Sequence, residues 1–258
     1  LYVGGSGPGN YTTIQEAINN ANDGDTVFVF DDSSPYYEHL SIKTSINLIG
    51  ENKKTTIIDG DMIGTAIIDV NANYVNICGF TIQNSGISKQ NYYAIQFFNS
   101  GNCVIFENIF QNNDISIMLW HKCDHNIISN NTIKNSDTGL YLAGSSYNTI
   151  TYNKIYDNVR GIRVAGVGYP EPISTHNSIR LNTISDSNIG IRFHDNKNSV
   201  ISKNNFIDNK IDVFYTHATD DDKWSENYWN SPRVFPKLIL GFFKISIDWN
   251  PSQEKYEI

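Results

Sequence analysis

Across the middle of the chain, apolar residues recur in short alternating runs that repeat on a longer period. Five segments follow one template, with an isoleucine at the third position, asparagine at the sixth, and isoleucine or phenylalanine at the eighth. They are Cys103–Phe110, Asn126–Ile133, Asn148–Ile155, Asn177–Ile184 and Ser199–Phe206. The anchor residues Asn108, Asn131, Asn153, Asn182 and Asn204 are spaced by 23, 22, 29 and 22 residues. An earlier copy, Val75–Ile82, carries Phe80 in the asparagine position. Nine and eleven residues after each anchor stand the apolar pairs Ile117/Leu119, Leu140/Leu142, Ile162/Val164, Ile191/Phe193 and Val213/Tyr215. Gly139, Gly161 and Gly190 precede the first member in three of the copies. Period-two alternation inside a period near 22 predicts short strands joined by tight corners.

One such coil cannot bury its apolar face alone, but coils stacked about 4.8 Å apart can. A buried corner asparagine donates and accepts along the stack, satisfying backbone groups at each bend. Leucine-rich repeats share the period but need a Leu-x-x-Leu-x-Leu run, and antiparallel sandwiches would not hold one register through five copies. The prediction is an all-β fold, a single-stranded right-handed parallel β-helix. It forms one domain over residues 1–258, with an N-terminal cap at 1–24, coils at 25–216 and an irregular, aromatic-rich C-terminal cap at 217–258.

The N-terminal cap contains a short helix, since Ile14, Ala17, Ile18 and Ala21 fall on one face. A capping box is available in two registers, Thr12 with Gln15 or Thr13 with Glu16. Strand-like runs follow at Thr26–Phe30, Leu40–Ile42, Ile46–Ile49, Thr56–Ile58 and Ala66–Val70. Insertions around Ser85–Tyr92 and Gly166–Thr175 predict loops that wall a groove. From about His217 the repeat fades into a tail rich in aromatics, which suits the covering of an open solenoid end.

Composition narrows the function classes. Hydrophobic residues make up 40% of the chain and charged residues 18%, too apolar a mixture for disorder. No stretch is long and apolar enough to span a bilayer. A net charge of −8 without a basic stripe excludes nucleic-acid binding and disfavours polybasic attachment to anionic lipid. Three cysteines, Cys78, Cys103 and Cys123, allow at most one disulfide and read as small buried hydrophobes. The chain begins at Leu1, compatible with a removed secretion signal.

The segments Tyr2–Ile18, Asp23–Val29, Tyr37–Ile42 and Ile46–Gly50 resemble the entry coils of NosD-like and pectate-lyase-like β-helix proteins. The asparagine repeats and Glu226–Asn230 extend the resemblance over nearly the whole chain, toward secreted, often archaeal, members with repeats of the carbohydrate-binding and sugar-hydrolysis type. The resemblance implies a β-helix at the cell surface or outside the cell. It does not fix the chemistry, because the superfamily includes lyases, hydrolases, epimerases, copper-site maturation proteins and non-catalytic surface proteins.

Candidate chemistry lies on outward positions. Ten residues after each anchor stand Met118, Tyr141, Arg163, Arg192 and Phe214, with Trp120 and His194 two positions further along their strands and Asp195 after His194. Stacked coils would align them in columns whose step is close to one saccharide unit. In a uronate lyase or epimerase, arginine suits the carboxylate through its bidentate fork. Tyrosine, histidine or arginine would remove the adjacent ring proton. Catalytic candidates are therefore Tyr141, Arg163, Arg192, His194 and Asp195, and substrate-binding candidates are Met118, Trp120, Tyr169 and Phe214. A hydrolase would want two carboxylates at a set separation. Asp114 with Asp137, and the set Asp157, Asp186 and Asp208, fall at corners and read as turn formers instead.

His121, Cys123 and His125 offer imidazole and sulfur donors of a kind that suits copper or zinc, although the segment turns a corner there. Asp220–Asp222 offers oxygen ligands to calcium, although three consecutive acids point in different directions. The leading expectation is an extracellular protein that binds, and as a lyase or epimerase processes, an extended polysaccharide. The alternatives are a non-catalytic surface scaffold and a NosD-like copper-handling protein. The sequence is silent on oligomeric state.

Overall fold

The chain is described by a computed structural model over residues 1–86, 92–168, 173–216, 221–241 and 245–258. Three parallel sheets run along one axis. The first has ten strands, from Tyr2–Val3 to Lys223–Ser225; the second and third have eight each, from Ile57–Asp59 to Tyr228–Trp229 and from Leu40–Ile42 to Ile211–Tyr215. Successive coils pair in parallel with the register read from the sequence. Ile105 aligns with Ile128, Ile150, Ile179 and Ile201, and Phe110 with Ile133, Ile155, Ile184 and Phe206. This is the right-handed parallel β-helix, the hand that parallel crossovers adopt.

All ten apolar residues predicted to face inward after the anchors are buried, and they share one continuous core with the isoleucines of the other two sheets. The glycine column is sterically required. A Cβ on Gly161 would lie 2.7 Å from the carbonyl oxygen of Gly190 and 3.1 Å from Cγ2 of Ile184.

The anchor asparagines form a ladder inside one corner. The backbone amides of Asn108, Asn131, Asn153, Asn182 and Asn204 each donate to the side-chain oxygen of the next anchor at 3.0 Å. Each side-chain amide donates in turn to a carbonyl of the preceding coil, as Asn153 does to Ile128 at 2.8 Å. Polar groups that the bend would leave buried are thereby paired. A second ladder runs through Cys103, Asn126, Asn148 and Asn177 at another corner.

At the N-terminal end, the helix Ile14–Asn19 lays Ile14, Ala17 and Ile18 over the first coil. Of the two capping registers, the Thr13 one forms: its hydroxyl accepts from the Glu16 amide at 3.2 Å. The amides of Ile14 and Gln15 donate to the carboxylate of Glu38 at 2.8 and 3.0 Å. A carboxylate there offsets the partial positive charge of a helix start.

The coils continue past the point where the repeat fades in sequence. Trp224 pairs in register with Ile201 and Trp229 with Phe206, and Asn227 becomes the next rung of the ladder. Larger side chains disguise this coil, because the core closes on aromatic rings: Trp229 stacks on Phe206 at 4.5 Å and Tyr215 on Phe193 at 5.1 Å. The ladder ends on the buried carboxylate of Asp248, which accepts from the Asn227 amide at 3.0 Å and from the Trp229 indole at 3.1 Å. Asp248 lies in an antiparallel hairpin, Lys237–Leu240 with Ile245–Asp248, that closes this end.

All three cysteines are free. Cys103 and Cys123 lie inside corners, as expected. Cys78 does not: it points outward from the first sheet and is partly exposed.

Candidate functional site

The outward columns of the third sheet form as the period predicted. Met118, Tyr141, Arg163, Arg192 and Phe214 are direct register partners in consecutive coils. Beside them, Trp120, Ala143, Ala165 and His194 form a second column. Alternation in each strand sends one residue to the core and the next to this face, so the arginines stand out between the buried Ile162/Val164 and Ile191/Phe193.

Two arginines stand side by side on this face. Neighbouring strands lie about 4.8 Å apart, so two guanidinium groups are held in adjacent coils. The Nε of each is buried without a hydrogen-bond partner, and no carboxylate pairs with either guanidinium among the described residues. The Arg163 guanidinium lies 4.2 Å from the centroid of the Tyr141 ring. Burial, followed by the neighbouring charges of Arg163 and Arg160, pushes the Arg192 guanidinium below its ordinary range. Arg160 differs: it pairs with Asp137. In a protein of net charge −8, these two cations without a carboxylate partner among the described residues form a local positive patch.

At the lower end, His194 Nδ1 shares a hydrogen bond with the Thr216 hydroxyl at 2.8 Å, and its Nε2 lies 3.4 Å from Asp195 Oδ2. The ring is thereby oriented next to the Arg192 strand position, and both residues are partly exposed. Trp120 is 39% exposed and meets the ring of Phe98, 40% exposed, edge to face at 6.2 Å. Phe214 is partly exposed below Arg192.

Met118 is outward in register but only 4% exposed, packed with Tyr93, Ile115 and Ala143 in a small apolar cluster that Tyr141 and Val167 flank. It therefore presents little of its own surface to a ligand. Tyr169 lies outside the described residues. The columns also continue into the earlier coils: Met118 aligns with Gln96, Gln96 with Asp69, and Trp120 with Phe98. Residues 95–98, Ile-Gln-Phe-Phe, repeat the inward–outward pattern of residues 117–120, so this coil was readable one period earlier.

Asp114 sits at the bend before the strand Ile115–Trp120, in keeping with a corner role. Burial raises its pKa first, opposed by the Tyr92 amide that donates to it at 3.0 Å; Asp137 raises it and Arg160 lowers it. Asp157, Asp186 and Asp208 all have positive φ at one corner, in keeping with a turn role.

The donors proposed for copper or zinc do not converge. Cys123 is fully buried inside the coil, where its thiol donates to the carbonyl of Trp120 at 3.3 Å and is pushed up to about 12 by burial. His121 stacks on Phe98 at 5.9 Å with Nδ1 bonded to Asn99, and His125 stacks on Tyr147 at 5.2 Å outside the neighbouring corner. A thiol held protonated inside the coil and two imidazoles on its outside do not make a copper or zinc cage. Of the acidic run, Asp220 lies outside the described residues, and Asp222 accepts from Asn196 and from the Ser199 amide, which places it in corner pairing. No group of three or more histidine, cysteine or acidic residues is arranged to hold a metal ion among the described residues.

Solved structures similar to this chain share its fold at low identity. A pectin methylesterase from carrot is 13% identical with a TM-score of 0.60, over 86% of this chain and 82% of that one. The A-module of the mannuronan C-5 epimerase AlgE6 from Azotobacter vinelandii is 12% identical with a TM-score of 0.54, over 85% and 73%. A tailspike protein of bacteriophage CBA120 matches at 12% identity and a TM-score of 0.51, over 87% of this chain and 41% of that one. Among curated proteins, none matches the sequence. No helix among the described residues is long and apolar enough to cross a membrane. The family model described as periplasmic copper-binding protein (NosD) matches residues 18–241, and the chain belongs to that NosD family.

Proposed function

We propose that the outer face of the third sheet binds an extended anionic polysaccharide, of the uronate class, in the cell envelope or outside the cell. The observation that carries this reading is the Arg163–Arg192 pair, two guanidinium groups in consecutive coils without a carboxylate partner among the described residues. A coil step of about 4.8 Å is close to one sugar residue, so successive carboxylates meet successive arginines. Trp120 and Phe98 supply exposed aromatic surface at the other end of the face, and Gln96 and Asp69 supply hydrogen-bonding groups. Two of the similar folds belong to proteins named for pectin and mannuronan chemistry, which fits a long sugar chain on such a surface.

Lyase or epimerase chemistry would begin with removal of the proton next to the uronate carboxylate. The arginines would neutralise that carboxylate, while Tyr141 and the oriented His194 are the groups able to take the proton.

The test is binding to polygalacturonate and polymannuronate, against a neutral glucan, for the wild type and for Arg163→Gln and Arg192→Gln. Selective binding of the acidic polymers, lost in the variants, is expected. Equal binding of neutral and acidic polymers, or variants that bind like the wild type, would overturn the reading. An unsaturated product followed by ultraviolet absorbance reports a lyase, and exchange of the ring proton with solvent reports an epimerase.

A further inference from the structure

The hairpin that closes the C-terminal end has an unexpected outer face. Its inward side chains, Ile239, Ser246 and Asp248, are buried against the last coils. Its other face, with the segments flanking it, exposes Val234 (81%), Phe235 (77%), Leu238 (56%), Leu240 (64%), Ile245 (65%) and Trp249 (71%). A solenoid end is ordinarily finished with a polar outer surface. Here the outer surface of the cap is apolar instead.

From this geometry we infer that the cap is the interface of an end-to-end dimer, with a second copy of this chain seated on the hairpin. Area supports this occupant. At about 150–250 Å² for each aromatic and about 100 Å² for each aliphatic side chain, scaled by exposure, the six present on the order of 600 Å² of apolar surface. A standard interface takes about 800 Å² from each partner, about 65% of it apolar in homodimers, so on the order of 500 Å² of apolar surface is needed. The patch meets that requirement. It also reaches the upper limit of about 600 Å² found for the largest apolar patch on an ordinary monomer.

Charge supports a second copy over an anionic bilayer. Lys237 lies 3.7 Å from Asp212 and over the Trp229 ring, so its charge is held against the last coils. The chain as a whole carries −8. An anionic surface would repel it, whereas end-to-end contact keeps most of the negative charge of two rods far apart. A two-stranded apolar face is also self-complementary under a two-fold axis, where each hairpin meets the same hairpin of its partner.

The experiment is the solution mass of the whole chain by light scattering and sedimentation equilibrium over a range of concentrations. A species of twice the 29.1 kDa chain mass is expected. Leu238→Lys and Ile245→Lys, both at exposed positions, are expected to raise the dimer dissociation constant at least tenfold with unchanged circular dichroism. Ile127→Lys, at an exposed apolar position on the first sheet, is expected to leave the dimer intact. A wild-type chain that stays monomeric at every concentration overturns the inference, whatever the variants do. So does a dimer that the cap variants leave unchanged or that Ile127→Lys breaks. A monomer that floats with vesicles containing phosphatidylglycerol would assign the cap to a lipid surface instead.

Discussion

Arg163 and Arg192 are register partners in adjacent strands, and each guanidinium keeps a buried Nε without a hydrogen-bond partner among the described residues. Two like charges held in neighbouring coils repel, and burial adds a desolvation cost to each. A protein that carried them for stability would pair them, as it pairs Arg160 with Asp137. Replacement of Arg192 by Gln is therefore expected to stabilise the fold by about 1 kcal/mol while weakening acidic-polymer binding, the trade-off common at functional sites. Urea midpoints and binding isotherms of the same preparation check both halves. A variant that loses stability in step with binding would mark Arg192 as structural.

Trp120 and Phe98 meet edge to face, with about two-fifths of each side chain exposed. An aromatic contact is worth about 0.5–1.5 kcal/mol, so Trp120→Ala is expected to weaken polymer binding by about 2- to 13-fold. The urea midpoint should change little. Isothermal titration with an acidic oligosaccharide measures the first quantity. An unchanged affinity would remove this end of the face from the binding surface.

Asn153 is the middle of the ladder. Its oxygen accepts from Asn131, and its amide donates to the carbonyls of Ile128 and Thr151 and to Asn182. Asn153→Ala strands several buried partners, each at about 1–3 kcal/mol, so a loss of at least about 3 kcal/mol is expected. Equilibrium unfolding in urea measures it. A loss below about 1 kcal/mol would mean that water replaces the amide inside the corner.

Burial pushes the thiols of Cys103 and Cys123 up to about 11 and about 12, from an ordinary value near 9. Because the folded-state values lie above the unfolded ones, the protonated thiols contribute stability that is fully present below about pH 9. That contribution is lost as the pH rises through about 11 and about 12. Thermal unfolding midpoints between pH 8 and 11 should therefore fall, and fall less in a Cys103→Ser/Cys123→Ser double variant. At pH 8, iodoacetamide should modify Cys78 in the native protein and all three thiols only after unfolding. Rapid native alkylation of Cys123 would contradict its placement inside the coil.

The sequence determined the coil. A period near 22 with inward–outward alternation leaves little freedom, because a slip of one residue would turn every isoleucine to solvent and every polar residue to the core. The anchor asparagines, the glycine column, the capping helix and the Tyr141–Arg163–Arg192 column therefore follow from spacing alone. Tertiary structure decided what the spacing does not encode. Register makes Met118 outward, but packing against Tyr93 and Ile115 buries it. Spacing brings His121, Cys123 and His125 together along the chain, but the corner sends the thiol inside and the imidazoles outside. The coil at Trp224–Trp229 kept its register while changing its side-chain sizes, so the repeat was hidden until pairing revealed it. Periodicity reports which side of a strand a residue takes. Which groups meet there, and which remain unpaired, depends on neighbours contributed by other coils, and those distances are set only when the chain has closed on itself.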